Sequence, residues 1–325
     1  MKKVDLSILI PCHNINKLNF FSLKHIMKLK SKYKIEILVL NDYSNDNTLE
    51  ILNDLSKKDS RIKVLNLSDY SEKKGIGFNR DFLISQAKGE YFFFIDDDDK
   101  LNLKHFNFLL NNFLYKYDLI TAKHYCSYAI TNKIQMKVFN IPQYKCQTGE
   151  YYSRDLIFKN LLFAWGKIVR KNIYLQNKTQ NNIFFKQKIY EDLDVVYSWY
   201  LNNNIKCFYL NKNLIEYRIR KNSLSTNLNK AYEKFALAIQ TYQNTFNKLK
   251  EFDWLNENQQ TQYKFKAITE LLIMIYALNC STKQDLFHEI KIELNKIINE
   301  TNFQNYIFST KLTKFFTKLA LNKLK

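Results

Sequence analysis

The stretch Y91-F-F-F-I-D-D-D-D-K100 places five apolar or aromatic residues directly before four adjacent carboxylates. The apolar half reads as a buried strand, and the acidic half is the abrupt end of it. Side-by-side carboxylates repel, yet this chain has 50 Lys plus Arg against only 31 Asp plus Glu, a formal charge of +19. Two readings are open for the acids. One is a solvated turn. The other is a site for a hard divalent cation, which takes oxygen ligands and neutralises their repulsion. If the strand continues through the run, alternate residues face the same way. Asp96 and Asp98 then point into one site and Asp97 toward the protein body, with Asp99 a further candidate.

Strand and helix patterns alternate ahead of this stretch. The apolar run at 4–12, VDLSILIPC, reads as a strand ending at Pro11. The segment 19–30 has Phe20, Leu23 and Met27 at helical spacing. A second strand, IEILVLND, spans 35–42. Asn45 and Asp46 read as caps of a helix carrying Leu49, Leu52 and Leu55. RIKVLNL (61–67) is a third strand, and 77–89 is a helix closed by Gly89. Continuous apolar strands alternating with helices predict a mostly parallel sheet covered on both faces. Ligands of such sheets sit beyond the carboxyl ends of the strands. Pro11–Asn14, Asn41–Asp46 and Asp96–Asp99 are three such ends.

The pattern becomes mixed from about 101 to 225, with a helix expected over 101–115, and helical and polar from about 226. The expected organisation is a domain over 1–225, split into halves at 1–100 and 101–225, and a basic helical region over 226–325. With 46% hydrophobic residues, including 25 Phe and 22 Tyr, the chain can bury a sizeable core. Five glycines and two prolines exclude a linker of the flexible or Pro-rich type. The five cysteines, Cys12, Cys126, Cys146, Cys207 and Cys280, are odd in number and have no C-x-x-C pair, which argues against a disulfide framework or a zinc ribbon. The opening MKKVDLSILIPCHN has too short an apolar core for a signal peptide, and no run of 18 apolar residues occurs. A cytoplasmic location is the expectation.

Six segments, in order, carry a family resemblance: SILIPCHN, EILVLNDYSNDNT, GFNRDFLISQAKGEYFFFIDDDD, WGKIVRKNIY, YEDLDVVYSWY and IEYRIRKNSLS. They resemble glycosyltransferases of family 2, with the GT-A fold, over about residues 4–226. Three family positions differ: His13 stands for Tyr, Asn41 for the first Asp of a pair, and Asp81 for Asn.

The resemblance implies an inverting, cation-dependent transfer from a UDP-sugar to a saccharide or lipid-linked glycan, as in lipooligosaccharide or capsule synthesis. Pro11, His13 and Asn14 would line the base and ribose, and Asp42 would accept from uracil N3–H. Arg80 would face the pyrophosphate or ribose, and Arg218, with Arg220 and Ser223, the diphosphate. Asp98 would bind Mg²⁺ or Mn²⁺ directly. Asp96 would hold the ribose hydroxyl or the metal. Asp192 would be the general base, Glu191 a contact to the acceptor, and Trp165 a flat face for its sugar. Each position also has a plainer reading: a helix cap for Asp42, a surface ion pair for Arg80, a helix-dipole contact for Glu191-Asp192, core packing for Trp165.

Two other functions compete. A sugar nucleotidyltransferase would open with a Gly-rich loop, and no glycine precedes Gly75. A nucleic-acid-binding role suits the net charge, but the acidic strand ends would repel phosphate, so no nucleic-acid partner is expected. The tail after Glu300 has no acid and sets Leu312, Phe315, Phe316, Leu319 and Ala320 on one helical face with five lysines around it. Residues 301–325 would lie on the anionic inner leaflet of the cytoplasmic membrane, or pack on the chain's own helices.

Overall fold

In a computed structural model, four apolar runs form the parallel half of one sheet: β1 (Leu6–Cys12), β2 (Ile35–Asn41), β3 (Ile62–Asn66) and β4 (Tyr91–Phe94). Their order is β3-β2-β1-β4, with Leu6 opposite both Ile35 and Tyr91. Every residue of β1, β2 and β4 is buried, as continuous apolar strands require when helices cover both faces. The structure describes residues 3–15, 21–129, 135–140, 146–156, 163–186, 191–200 and 205–219, with single helical positions at 240, 244 and 247. Arg220, Ser223 and the basic tail at 301–325 lie outside them.

The crossovers are α1 (Phe21–Ile26), α2 (Thr48–Lys58) and α3 (Ile76–Gln86). Asp46 does anchor the start of α2, accepting from the Thr48 N–H at 3.0 Å. The expected Gly89 cap is a correction: α3 ends at Gln86, and the chain is already extended at Ala87. Gly89 is needed for another reason. A Cβ there would lie 2.6 Å from the Ser7 nitrogen and 2.7 Å from the Ser7 hydroxyl. Its N–H donates to Ser7 Oγ at 2.9 Å, and Ser7 donates to the buried Glu36 carboxylate at 2.6 Å. Lys63 and the Lys88 N–H also donate to Glu36. Burial alone would push the Glu36 carboxyl up, but these hydrogen bonds prevail and hold it below its ordinary value.

The second half of the sheet contains β5 (Lys100–Leu101), β6 (Leu119–Ala129), β7 (Gln135–Asn140), β8 (Gly149–Tyr152), β9 (Lys167–Arg170) and β10 (Lys206–Ile219). It continues from β4 as β9-β6-β10-β5, with β7 on β6 and β8 on β10. β9 is antiparallel to both β4 and β6, and β10 is parallel to β6. The carboxyl ends of β4, β6 and β10 therefore point the same way, and β9 starts at that same edge. The helices here are α4 (Leu103–Phe113), α5 (Ser153–Leu156), α6 (Lys171–Asn181) and α7 (Asp192–Ser198). This mixed α/β sheet is the expected fold class.

Alternation along β4 sends Phe92 and Phe94 to one face and Phe93 to the other. Phe92 meets Trp199 edge-on at 5.7 Å and Phe94 meets Phe185 at 5.8 Å, while Phe93 packs on Phe106 of α4 at 4.7 Å. Burying each ring contributes about 1.5–3 kcal/mol. Two like charges at about 4 Å cost on the order of 1–4 kcal/mol near a surface. The aromatic strand can therefore hold the acids at its end against their repulsion.

The chain divides into two compact units, one made of 1–141, 146–156 and 161–220, the other of 142–145, 157–160 and 221–325. Among the described residues no helix is long and apolar enough to cross a membrane.

Candidate active site

The acidic run is not a strand. β4 stops at Phe94, and Asp96–Asp99 form a turn closed by the Asp99 N–H on the Asp96 carbonyl at 3.2 Å. Strand alternation therefore does not sort these carboxylates; their partners do. Asp97 accepts from the His13 N–H at 3.3 Å, tying the turn to the end of β1. Asp99 is fully buried and accepts from the Arg218 N–H at 2.9 Å, tying it to β10. Burial, with Asp98 and Asp96 nearby, pushes the Asp99 carboxyl well up. Asp98 is half-buried between these two anchors.

Asp96 faces Arg80, whose Nη2 lies 3.2 Å from its carboxylate. Arg80 comes from the middle of α3 and is only 4% exposed. Its Nη1 pairs closely with Glu191 and lies 3.9 Å from Asp192. The surface ion pair is thus excluded. The guanidinium, expected to face the pyrophosphate or ribose, is turned instead to Asp96, 16 residues away, and to Glu191, 111 residues away, with Asp192 next to it. It also lies 5.7 Å from the Phe94 ring centre. Burial works against its charge, and Glu191, Asp96 and Asp192 more than offset that, so its pKa is raised.

Burial pushes Glu191 up to about 8 against the pull of Arg80, and Asp192 adds to the rise. Asp192 is raised by the same burial, again opposed by Arg80. The two acids differ in access: the Asp192 side chain is 14% exposed and that of Glu191 5%. Asp192 opens α7 and also accepts from the Ala164 N–H at 3.3 Å. A carboxylate that is reachable, oriented and more basic than usual is suited to taking a proton.

At the other strand ends, His13 donates from Nδ1 to the Asp42 carbonyl at 2.6 Å, since a carbonyl can only accept. That leaves Nε2 to accept from Asn14, 3.3 Å away. Asn14 has a left-handed backbone, with φ of 54°, a conformation Asn tolerates. Its side chain accepts from the Asn45 N–H at 2.9 Å, locking the β1 end to the β2 end. Pro11 is buried within β1. Asp42 is 8% exposed, and its Oδ1 is buried with no hydrogen-bond partner. That is an acceptor held dry beside the His13 and Asn14 loop. The Arg218 guanidinium lies 4.7 Å from the Phe21 ring centre, beside the acidic turn.

Trp165 departs from its expected role. It is 3% exposed, and its ring stacks on Phe163 at 4.9 Å and on Tyr217 at 5.5 Å. Core packing takes the face expected for a sugar. Phe163, 38% exposed, is the open member of the stack. Its carbonyl accepts from the buried Lys167 amine at 2.6 Å, and Gly166, with φ of 73°, completes a tight turn. Phe163 and the Ala164 amide were missed in the sequence. The signal was the FAWG stretch itself, where the second aromatic drew the reading.

The same architecture occurs in solved structures. A crystal structure of S. aureus TarS 1-349 in complex with UDP-GlcNAc superposes with a TM-score of 0.58 at 20% identity, covering 92% of this chain and 89% of that one. The fold is therefore GT-A. The chain belongs to glycosyl transferase family 2, whose pattern matches residues 7–193. The poly(ribitol-phosphate) beta-N-acetylglucosaminyltransferase TarP of Staphylococcus aureus is 24% identical over 96% of this chain and 94% of its own length. A cholesterol galactosyltransferase of Borreliella burgdorferi is 27% identical over 48% of this chain and 45% of its own. A GalNAc(5)-diNAcBac-PP-undecaprenol beta-1,3-glucosyltransferase of Campylobacter jejuni is 36% identical over 30% of each. This chain spans less than half the length of the latter two.

Proposed function

We propose that this protein transfers a sugar, with inversion, from a UDP-sugar to a saccharide or lipid-linked acceptor in the synthesis of a bacterial surface glycan. The observation that carries the reading is the convergence of Asp96, Glu191 and Asp192 on the buried Arg80 at the carboxyl edge of the sheet. It brings the acidic turn of one half beside the Asp192 carboxylate of the other, which supports Asp192 as the base. In the transfer, Asp192 takes the proton of the acceptor hydroxyl as that oxygen bonds to the anomeric carbon. The bond from that carbon to the diphosphate oxygen breaks, and UDP leaves with the electron pair.

A divalent cation fits the acidic turn. Its donors are hard carboxylate oxygens, and among the described residues no three His, Cys, Asp or Glu side chains form a complete metal cage. Carboxylate oxygens are what a hard divalent cation takes, and phosphate oxygens of a bound diphosphate would complete its shell. Asp98 is the residue proposed to hold it, as the family resemblance implies, from a turn whose neighbours Asp97 and Asp99 are anchored to the His13 and Arg218 amides. Mn²⁺ or Mg²⁺ there would stabilise the charge on departing UDP.

Asp42 supports a uridine donor. Its unpartnered Oδ1 can accept from uracil N3–H, and cytosine has no donor at that position. Calorimetry is expected to show at least tenfold tighter binding of UDP than of CDP in the presence of Mn²⁺. UDP release from an equimolar mixture of UDP-glucose, UDP-galactose and UDP-N-acetylglucosamine should be detectable. Equal affinity for the two nucleotides would overturn the donor assignment.

The open ring of Phe163, one residue from the amide that orients Asp192, supports an acceptor-side role. An aromatic contact of this kind is worth about 0.5–1.5 kcal/mol, or roughly two- to twelvefold. Phe163→Ala should raise the KM of the saccharide that stimulates UDP release by about that factor and leave UDP affinity unchanged. An unchanged KM would remove Phe163 from the site.

A further inference from the structure

We propose that Arg80 is a positioning residue for transfer: its guanidinium, clamped between Asp96 and the Glu191–Asp192 pair, fixes the base and ties it to the donor-side turn. The inference rests on the reading of Asp192 as the base.

Three observations support it. The first is occupancy of the guanidinium. Nη1 and Nη2 are both engaged by carboxylates, and the remaining Nε is buried with no partner. A diphosphate approaching this group would compete with Asp96 and Glu191 for it. The second is charge. Three acids converge on one cation, and removing it leaves the buried Glu191 carboxylate without its counter-charge beside two partly exposed acids, the costly way to break a buried pair. The third is linkage along the chain. α3, the acidic turn and the start of α7 are brought together by this one side chain, while Ala164, just before β9, contacts the same Asp192 from the fourth side.

The planar fork of arginine matters here. It addresses separate carboxylates along fixed directions, whereas a lysine ammonium is a single point of charge. Arg80→Lys keeps the charge but loses the fork. Among the described residues, the groups facing Asp192 are Arg80 from α3, Asp96 from the acidic turn, the Ala164 N–H and its neighbour Glu191. Arg80 is the one cation in that set. Its pull lowers the Asp192 pKa, so its loss moves the acid limb of the rate profile to higher pH.

The test measures Arg80→Gln, Arg80→Lys and Asp192→Asn in parallel with the full chain and Mn²⁺. UDP affinity is read by calorimetry. UDP release is followed across pH with the three-sugar mixture named above. Arg80→Gln is expected to lower UDP release at least a hundredfold, keep the UDP Kd within threefold and shift the acid limb upward. Arg80→Lys is expected to recover part of the rate and to return the limb toward its original position. If Arg80→Gln weakens UDP binding tenfold or more, Arg80 is a donor ligand and the proposal fails. It also fails if UDP release stays within threefold of the unmutated protein, or if the rate falls only with the folded fraction while the acid limb stays in place. Should Arg80→Gln not fold, Arg80→Lys decides: the proposal fails if that variant weakens UDP binding tenfold or more, or if its UDP release per folded molecule stays within threefold of the unmutated protein. Full UDP release in Asp192→Asn would instead sink the assignment of the base, whatever the Arg80 variants do.

Discussion

Asp192→Ala is expected to lower glycosyl transfer by about 10²- to 10⁴-fold, the range contributed by a positioned general base, while UDP binding with Mn²⁺ stays within threefold. The reason is geometric. Asp192 lies at the first turn of α7, oriented by the Ala164 N–H at 3.3 Å and facing Arg80 at 3.9 Å. Nothing in that set belongs to the loops of β1 and β2 where the uridine is proposed to bind, so its removal should act on the rate. Burial raises the Asp192 pKa, and the base works only when ionised. Transfer should therefore fall as pH drops, and begin to fall at a higher pH than an ordinary aspartate would give. Initial rates from pH 5 to 8 check this. Full activity in Asp192→Ala, or a flat profile down to the usual aspartate range, would remove it from the mechanism.

Asp98→Ala should abolish transfer and also remove the dependence of UDP binding on Mn²⁺. The two variants thus separate the donor side from the base. Asp98 sits in a turn pinned on one side by Asp97 to the His13 N–H and on the other by Asp99 to the Arg218 N–H. Those anchors use backbone amides and leave the turn intact when Asp98 is shortened, so the loss should appear in cation-linked affinity with little change in Tm. Chelation of the cation in the unmutated protein should reproduce the phenotype. Mn²⁺-dependent UDP binding that persists in Asp98→Ala would show that another group holds the cation.

The site was unevenly legible in the sequence. Asp42 and Asp98 stood out because each lies just past an apolar run, and strand ends are where such sheets expose chemistry, whereas Asp192, at the start of a helix, stood out only through the family resemblance. The division of labour within the acidic run did not stand out. Alternation presumes that the strand continues, and β4 stops at Phe94, so hydrogen bonds to His13 and Arg218 set the roles instead. Gly89 looked like a helix cap because it follows a helical pattern, whereas its missing side chain makes room for Ser7 on the neighbouring strand. Trp165 looked like a sugar platform for its size, and size is also what buried it between packing partners.

The amino-acid order by itself determined the sheet and its edge. Continuous apolar runs must be buried on both faces, short polar segments must join them at the surface, and acids must end at solvent or at a cation. Only the tertiary structure decided the company these residues keep. Arg80 stood out only through the family resemblance, as a contact to the pyrophosphate or ribose, and no local pattern links it to acids 16 and 111 residues away. Antiparallel β9 beside β4 brings the base loop to the donor edge. A buried cation then has to find carboxylates, because an unpaired charge in a dry interior costs more than bringing those segments together.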